Sequence, residues 1–379
     1  MVSLPLVSAA AALLAFALSL LFIRRVLSRR SSPSLVVSLD KIEGGRLSPL
    51  DVGGRKAEAT DLVRRFGWGE IEAMTGVFSQ VIGSGGFSTV YLGRIGGSGR
   101  LCAVKVLRGS ERLNLVLRQE LDILLRLRHP NIVRIVGCCD EREEGALVLE
   151  YVPNGNLQEL LHYVETGAPN VGLPWNNRLS IAYQLARAIE YLHDSCDLQI
   201  VHGDIKSSNI LLDEHLNCRL CDFGSAKMGF SASVVPSSPT ASPRAKQIML
   251  GSPGYTDPHY LRTGIASKKN DIYSFGVVVL ELITGKEAFV AERGQMLTSI
   301  VAEAIQDRSD CLPGNLSGIV DPRLGDNIDL RVAGTMISIA RSCLNPTSSL
   351  RPSASQIIDT MRKEIPSIGF EGGGSKSGR

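Results

Sequence analysis

The run Ile200-Val201-His202-Gly203-Asp204-Ile205-Lys206-Ser207-Ser208-Asn209, with Cys221-Asp222-Phe223-Gly224 a short way on, constrains this chain more than any other feature. Moving a phosphoryl group requires a carboxylate to orient the attacking hydroxyl, a cation for the travelling phosphate, and oxygen ligands for a divalent metal. Asp204, Lys206, Asn209 and Asp222 supply one of each type, in that order. A chance assembly at this spacing is very improbable.

Two weaker signals precede it. Ile82-Gly83-Ser84-Gly85-Gly86-Phe87-Ser88-Thr89-Val90 is a glycine-rich turn between strands, where backbone N–H groups can approach phosphate oxygens with no Cβ in the way. It lacks the Lys-Ser/Thr of a Walker loop, and no helix follows it directly as in a dinucleotide fold. Then comes Cys102-Ala103-Val104-Lys105-Val106, a lysine inside an apolar strand, with Glu120 one helix later as its candidate partner. Taken singly, such a pair is more often a snorkelling lysine and a solvated carboxylate.

The strand-rich stretch predicts two hairpin strands over 81–106 and further strands at 132–139 and 146–152. Helices are expected at 113–128, 178–193, 271–284, 296–306 and 330–343. A β-rich first part and a helical second part imply an α+β body of two lobes. At 379 residues, 44% hydrophobic and 21% charged, the chain can bury a large core. The 41 basic against 38 acidic residues leave a net charge of +3, which gives no sign of a nucleic-acid partner. The eight cysteines form no disulfide framework. Cys218 and Cys221 are spaced for opposite faces of a strand rather than for zinc, and are expected to be buried structural thiols.

Taken together, the segments G-S-G-G-F-S-T-V, A-V-K, H-G-D-I-K-S-S-N, D-F-G, G-S-P-G-Y-T-D-P, D-I-Y-S-F-G and R-P-S resemble the eukaryotic protein kinases, most closely the receptor-like serine/threonine kinases of plants. The resemblance covers roughly residues 66–365. It implies a bilobal kinase fold that uses ATP with Mg2+, Mn2+ being an alternative, and a protein substrate carrying Ser or Thr. By it, Gly83, Gly85 and Gly86 cover the ATP phosphates, and Ile82 and Ser84 of the same turn also belong to the ATP-binding residues. Lys105 contacts the α- and β-phosphates and pairs with Glu120. Val90 and Ala103 sandwich the adenine, Leu149 controls access behind it, and the backbones of Glu150 and Val152 bond it. Asp204 is the catalytic base, Lys206 sits near the γ-phosphate, and Asn209 and Asp222 hold the metal. Asp271 braces the catalytic loop, and Ser252 contacts the base.

Two positions depart from the pattern. Gly203 stands where the family usually has an Arg that pairs with an activation-loop phosphate, which suggests an enzyme that does not depend strongly on such a phosphate. In Asp257-Pro258-His259 the family's Glu is replaced by His259, which is expected to leave Arg351 without its carboxylate. These departures keep open an alternative, a kinase-shaped scaffold that transfers nothing.

Outside the kinase-like part, Val2 to Ile23 is a nearly uninterrupted apolar run, and Arg24, Arg25, Arg29 and Arg30 follow at once. This favours an uncleaved transmembrane anchor at 1–23 with the rest in the cytoplasm, over a cleaved signal peptide or a core helix. The expected plan is anchor 1–23, juxtamembrane linker 24–65, kinase domain 66–366 (lobes 66–152 and 153–366) and flexible tail 367–379. A low-complexity Ser/Pro segment, 231–246, falls inside the second lobe. The chain is thus expected to be a single-pass protein, by default of the plasma membrane. A co-receptor or upstream kinase would be a further partner.

Overall fold

The computed structural model describes residues 63–85, 88–107, 111–142, 145–162, 172–229, 251–302, 318–325 and 328–365. The chain divides into two units, 1–60 and 61–379, and every described residue belongs to the second. The anchor expected at 1–23, most of the linker, Gly86, the Ser/Pro segment and the tail lie outside the described residues. Among those described, no helix is long and apolar enough to cross a membrane.

The first lobe is a six-stranded sheet in the order β1-β5-β6-β4-β3-β2. Its strands are β1 (Arg64–Arg65), β2 (Val81–Ser84), β3 (Ser88–Arg94), β4 (Leu101–Leu107), β5 (Ile135–Cys139) and β6 (Ala146–Glu150). Where the sequence predicts two hairpin strands, three form, because the glycines between Arg94 and Leu101 make a second turn. Alternation along β4 sends Cys102, Val104 and Val106 to one face and Lys105 to the other. The first set packs beneath helix α1 (Trp68–Met74), where Phe66, Trp68, Ile71 and Met74 close a core separate from the main one. Helix α2 (Glu111–Arg126) covers the opposite face with Leu117, Ile123 and Leu124. It stops before His129-Pro130, since the residue ahead of a proline avoids helical backbone.

The second lobe holds α3 (Leu157–His162), α4 (Trp175–Glu190), α5 (Pro258–Thr263), α6 (Lys268–Thr284), α7 (Leu297–Ile300), α8 (Leu330–Cys343) and α9 (Ala354–Glu364). Every residue of α6 from Asn270 to Thr284 is buried, as expected of a helix apolar on all sides. Gly276 lets α6 cross close to α8, for a Cβ there would meet the Cβ of Cys343 at 2.8 Å. Short strands β7 (Ile200–Val201), β8 (Ile210–Leu212), β9 (Cys218–Leu220) and β10 (Lys227–Met228) frame the loop of the diagnostic run. The helix expected at 296–306 is described only over α7.

Candidate active site

Lys105 sits mid-strand on β4, opposite Val90 of β3 and Leu147 of β6. Its Nζ lies 2.8 Å from both carboxylate oxygens of Glu120 on α2, and 2.7 Å from Oδ1 of Asp222. Burial opposes the lysine's charge, but the two carboxylates outweigh it and hold Lys105 above its ordinary range. Burial likewise opposes ionisation of Asp222, and Lys105 overcomes that, so this carboxyl lies below its usual range. Asp222 has left-handed backbone (φ 63°, ψ 76°), a conformation that a non-glycine residue adopts at a cost and that recurs at functional sites.

The glycine-rich turn is short. Ile82, Gly83 and Ser84 lie on β2, and the Gly85 amide donates to the Ser88 carbonyl at 2.8 Å. Val90 and Ala103 are half-buried, Leu149 is buried near the end of β6, Glu150 is that strand's last residue, and Val152 follows it.

Asp204, Lys206 and Ser252 form a triangle. Ser252 Oγ donates to Asp204 Oδ1, Lys206 Nζ donates to Ser252 Oγ, and Lys206 pairs with Asp204 Oδ2, each at 2.8 Å. The Asn209 amide donates to the Asp204 carbonyl at 2.8 Å and to its carboxylate at 3.2 Å. With its amide nitrogen so engaged, the Asn209 side-chain oxygen remains an acceptor, and it and the Asp222 carboxylate are oxygen donors of the kind a hard cation takes. Among the described residues no cluster of three or more His, Cys, Asp or Glu could hold a metal by itself. Two protein oxygens do suit Mg2+, which keeps waters and phosphate oxygens as its other ligands.

Asp271 of α6 holds the loop from below. Its oxygens accept from the His202 and Gly203 amides and face His193 Nε2, all at 2.8 Å. Gly203 itself has φ +78°, where a glycine is unstrained. The His202 ring reaches the Cys221 carbonyl at 3.1 Å and packs edge-on against Phe223. The two halves of the diagnostic run are thereby joined. Cys218 is buried, and burial pushes its thiol up to about 12, in keeping with a structural cysteine.

One expectation is corrected. Arg351 is not left without a carboxylate: Asp257 pairs with it through both oxygens, at 2.6 and 2.8 Å, with each residue 2% exposed. Asp257 also accepts from Asn270 and from the His259 amide, at 2.8 Å each. The carboxylate two residues before His259 therefore satisfies the arginine. The sequence reading also missed Glu281, Tyr255, Ser207 and His162, which form a buried network under the triangle. Its one visible signal is a lone carboxylate inside the apolar run Val277–Ile283.

Residues 77–361 match the model of the protein kinase domain. A probable receptor-like protein kinase of Arabidopsis thaliana is 55% identical over 81% of this chain and 90% of its own length. The salt tolerance receptor-like cytoplasmic kinase 1 of Oryza sativa subsp. japonica is 47% identical over 83% of this chain and 84% of its own. A probable LRR receptor-like serine/threonine-protein kinase of Arabidopsis thaliana is 36% identical over 79% of this chain but only 32% of that longer protein. The expected single-pass plasma-membrane placement is corrected by one finding: a relative matching along most of its length is named as a receptor-like cytoplasmic kinase. The geometry around Asp204 and Lys105, the domain match and these relatives converge: this chain belongs to the protein kinase family, with the receptor-like serine/threonine kinases of plants.

Proposed function

We propose that this kinase transfers the γ-phosphate of ATP to Ser or Thr hydroxyls of a protein substrate in signalling, within a catalytic domain spanning about 66–366. The observation that carries this reading is the Asp204–Lys206–Ser252 triangle together with the Lys105–Glu120–Asp222 cluster, their two segments joined through the His202 ring. Asp204 orients the substrate hydroxyl and takes its proton as the oxygen bonds to phosphorus and the bond to the β-phosphate oxygen breaks. Lys206 balances charge on the moving phosphoryl group, and Lys105, fixed by Glu120, holds the remaining phosphates. Gly83, Gly85 and Gly86 let the backbone lie over those phosphates, and Val90, Ala103, Glu150 and Val152 bound the adenine. Asn209 and Asp222 would hold Mg2+, which neutralises phosphate charge when bound.

The scaffold alternative had two motives. Asp257 removes the one based on Arg351, and Gly203 alone is a loop departure that takes away no reacting atom. The deciding experiment is incorporation of labelled phosphate from ATP-Mg2+ into a Ser/Thr substrate by the full chain, beside Asp204→Asn. Incorporation that disappears in the variant supports the kinase reading. No incorporation by folded wild type would favour the scaffold.

A further inference from the structure

The glycine-rich turn departs from the kinase pattern at a position of its own. That pattern runs G-x-G-x-x-G-x-V. Set on Gly83, Gly85 and Val90, it asks for a third glycine where this chain has Ser88. A glycine there offers only its backbone. Serine adds a hydroxyl, which donates one hydrogen bond and rotates to suit its partner.

Strand geometry decides where that hydroxyl lies. Side chains alternate along β3, so Ser88 and Val90 share one face and Tyr91 takes the other. The Tyr91 face is the one packed with Trp68 and Met74. Val90 stands opposite Lys105, whose Nζ reaches Glu120 and Asp222. Ser88 therefore lies on the Lys105 face of the sheet, two residues nearer the turn and opposite Leu107.

Two contacts hold it there. The Gly85 amide donates to the Ser88 carbonyl at 2.8 Å and closes the turn. Ser88 Oγ lies beside the same glycine, 3.5 Å from where a Cβ on Gly85 would be. The residue is half-buried, and among the described residues its Oγ has no hydrogen-bond partner. A donor without a protein partner, on the face that carries the Lys105 ammonium, is placed to meet an anion. Because Ser88 belongs to the β3–β4 ladder, that donor is in position before any ligand arrives.

We propose that Ser88 is a further ATP-binding residue. Its hydroxyl donates to an oxygen of the phosphate chain, a contact that the third glycine of the pattern has no side chain to make. The proposal rests on the kinase reading above, which supplies the nucleotide. Ser88 contributes binding and takes no part in the transfer itself, so a nucleoside without phosphates should not sense it.

The test is titration calorimetry of the full chain, wild type beside Ser88→Ala, with ATP-Mg2+ and separately with adenosine. The substitution removes one oxygen and leaves the strand its backbone. ATP affinity is expected to fall roughly five- to tenfold, as loss of a charge-assisted hydrogen bond at a half-exposed position does. Adenosine affinity should stay within about twofold, because adenosine carries no phosphate for the hydroxyl to reach. Unchanged ATP affinity in Ser88→Ala would overturn the proposal. So would a fall shared equally by adenosine, which would place the effect in the shape of the turn. Wild type that binds neither ATP nor adenosine would overturn the kinase reading itself, and the proposal with it.

Discussion

Asp257 carries four hydrogen bonds on two oxygens, and one of its partners is a buried guanidinium. Removing one partner of such a pair costs about 3–5 kcal/mol, because the other charge stays buried alone. Asp257→Asn should therefore lower the thermal midpoint sharply, whereas His259→Glu in the wild-type background should change little. In the Asp257→Asn background His259→Glu should recover most of the loss by placing a carboxylate two residues away. A double variant no more stable than Asp257→Asn would show that position 259 cannot reach Arg351. His129 gives a second residue-scale expectation. Burial, then the charges of Arg187 and Arg219, lower it from 6.5 to about 4. Its Nδ1 accepts from the Asn131 amide at 3.1 Å, which requires that nitrogen to be unprotonated. The unfolded chain takes up a proton near pH 6.5 that the folded chain refuses until about pH 4, so stability falls as pH drops through that window. Urea midpoints across this range should decline in wild type and be flatter in His129→Gln. Equal slopes would remove His129 from the account.

Helix α1 and strand β1 come before the residues that match the kinase domain model, yet they complete the first lobe. Trp68 is 4% exposed against the outer face of the sheet, and Trp68→Ala should cost about 3–5 kcal/mol, measured by denaturant unfolding. A change below 1 kcal/mol would mean that α1 is dispensable. Strand β1, not the amphipathic stretch after it, is where the sequence was least readable. β1 is two arginines with no apolar pattern, and only its parallel pairing with Gly137 and Cys138 makes it a strand. Lys105 and Glu120 stood out because a charge inside an apolar strand needs a partner, and Asp204, Lys206, Asn209 and Asp222 because their types and spacing fit one reaction. The Asp257–Arg351 pair joins residues 94 positions apart, and no local pattern announces it. Glu281 was visible as a charge, but its partners come from three other elements that only folding brings together.

At the scale of the described residues, two lobes bring charged groups together at Lys105. Lys105 and Glu120 come from the first lobe and Asp222 from the second, so a bound nucleotide would be held from both sides. ATP with Mg2+ should raise the thermal midpoint, by the equivalent of about 2.7 kcal/mol at a hundredfold excess over Kd. Chelating the metal, or Asp222→Asn, should remove most of that shift. An undiminished shift in Asp222→Asn would take the metal away from this residue. The six-stranded sheet also has a bearing on solubility. Its interior strand β5 is apolar, and the neighbour that occupies its outer side is only two residues long, both of them exposed arginines. Short, charged edges are how sheets refuse to add a strand from another molecule. Arg64 and Arg65 thus shield Ile135–Cys139, and a chain shortened past them would offer that strand to its neighbours and self-associate.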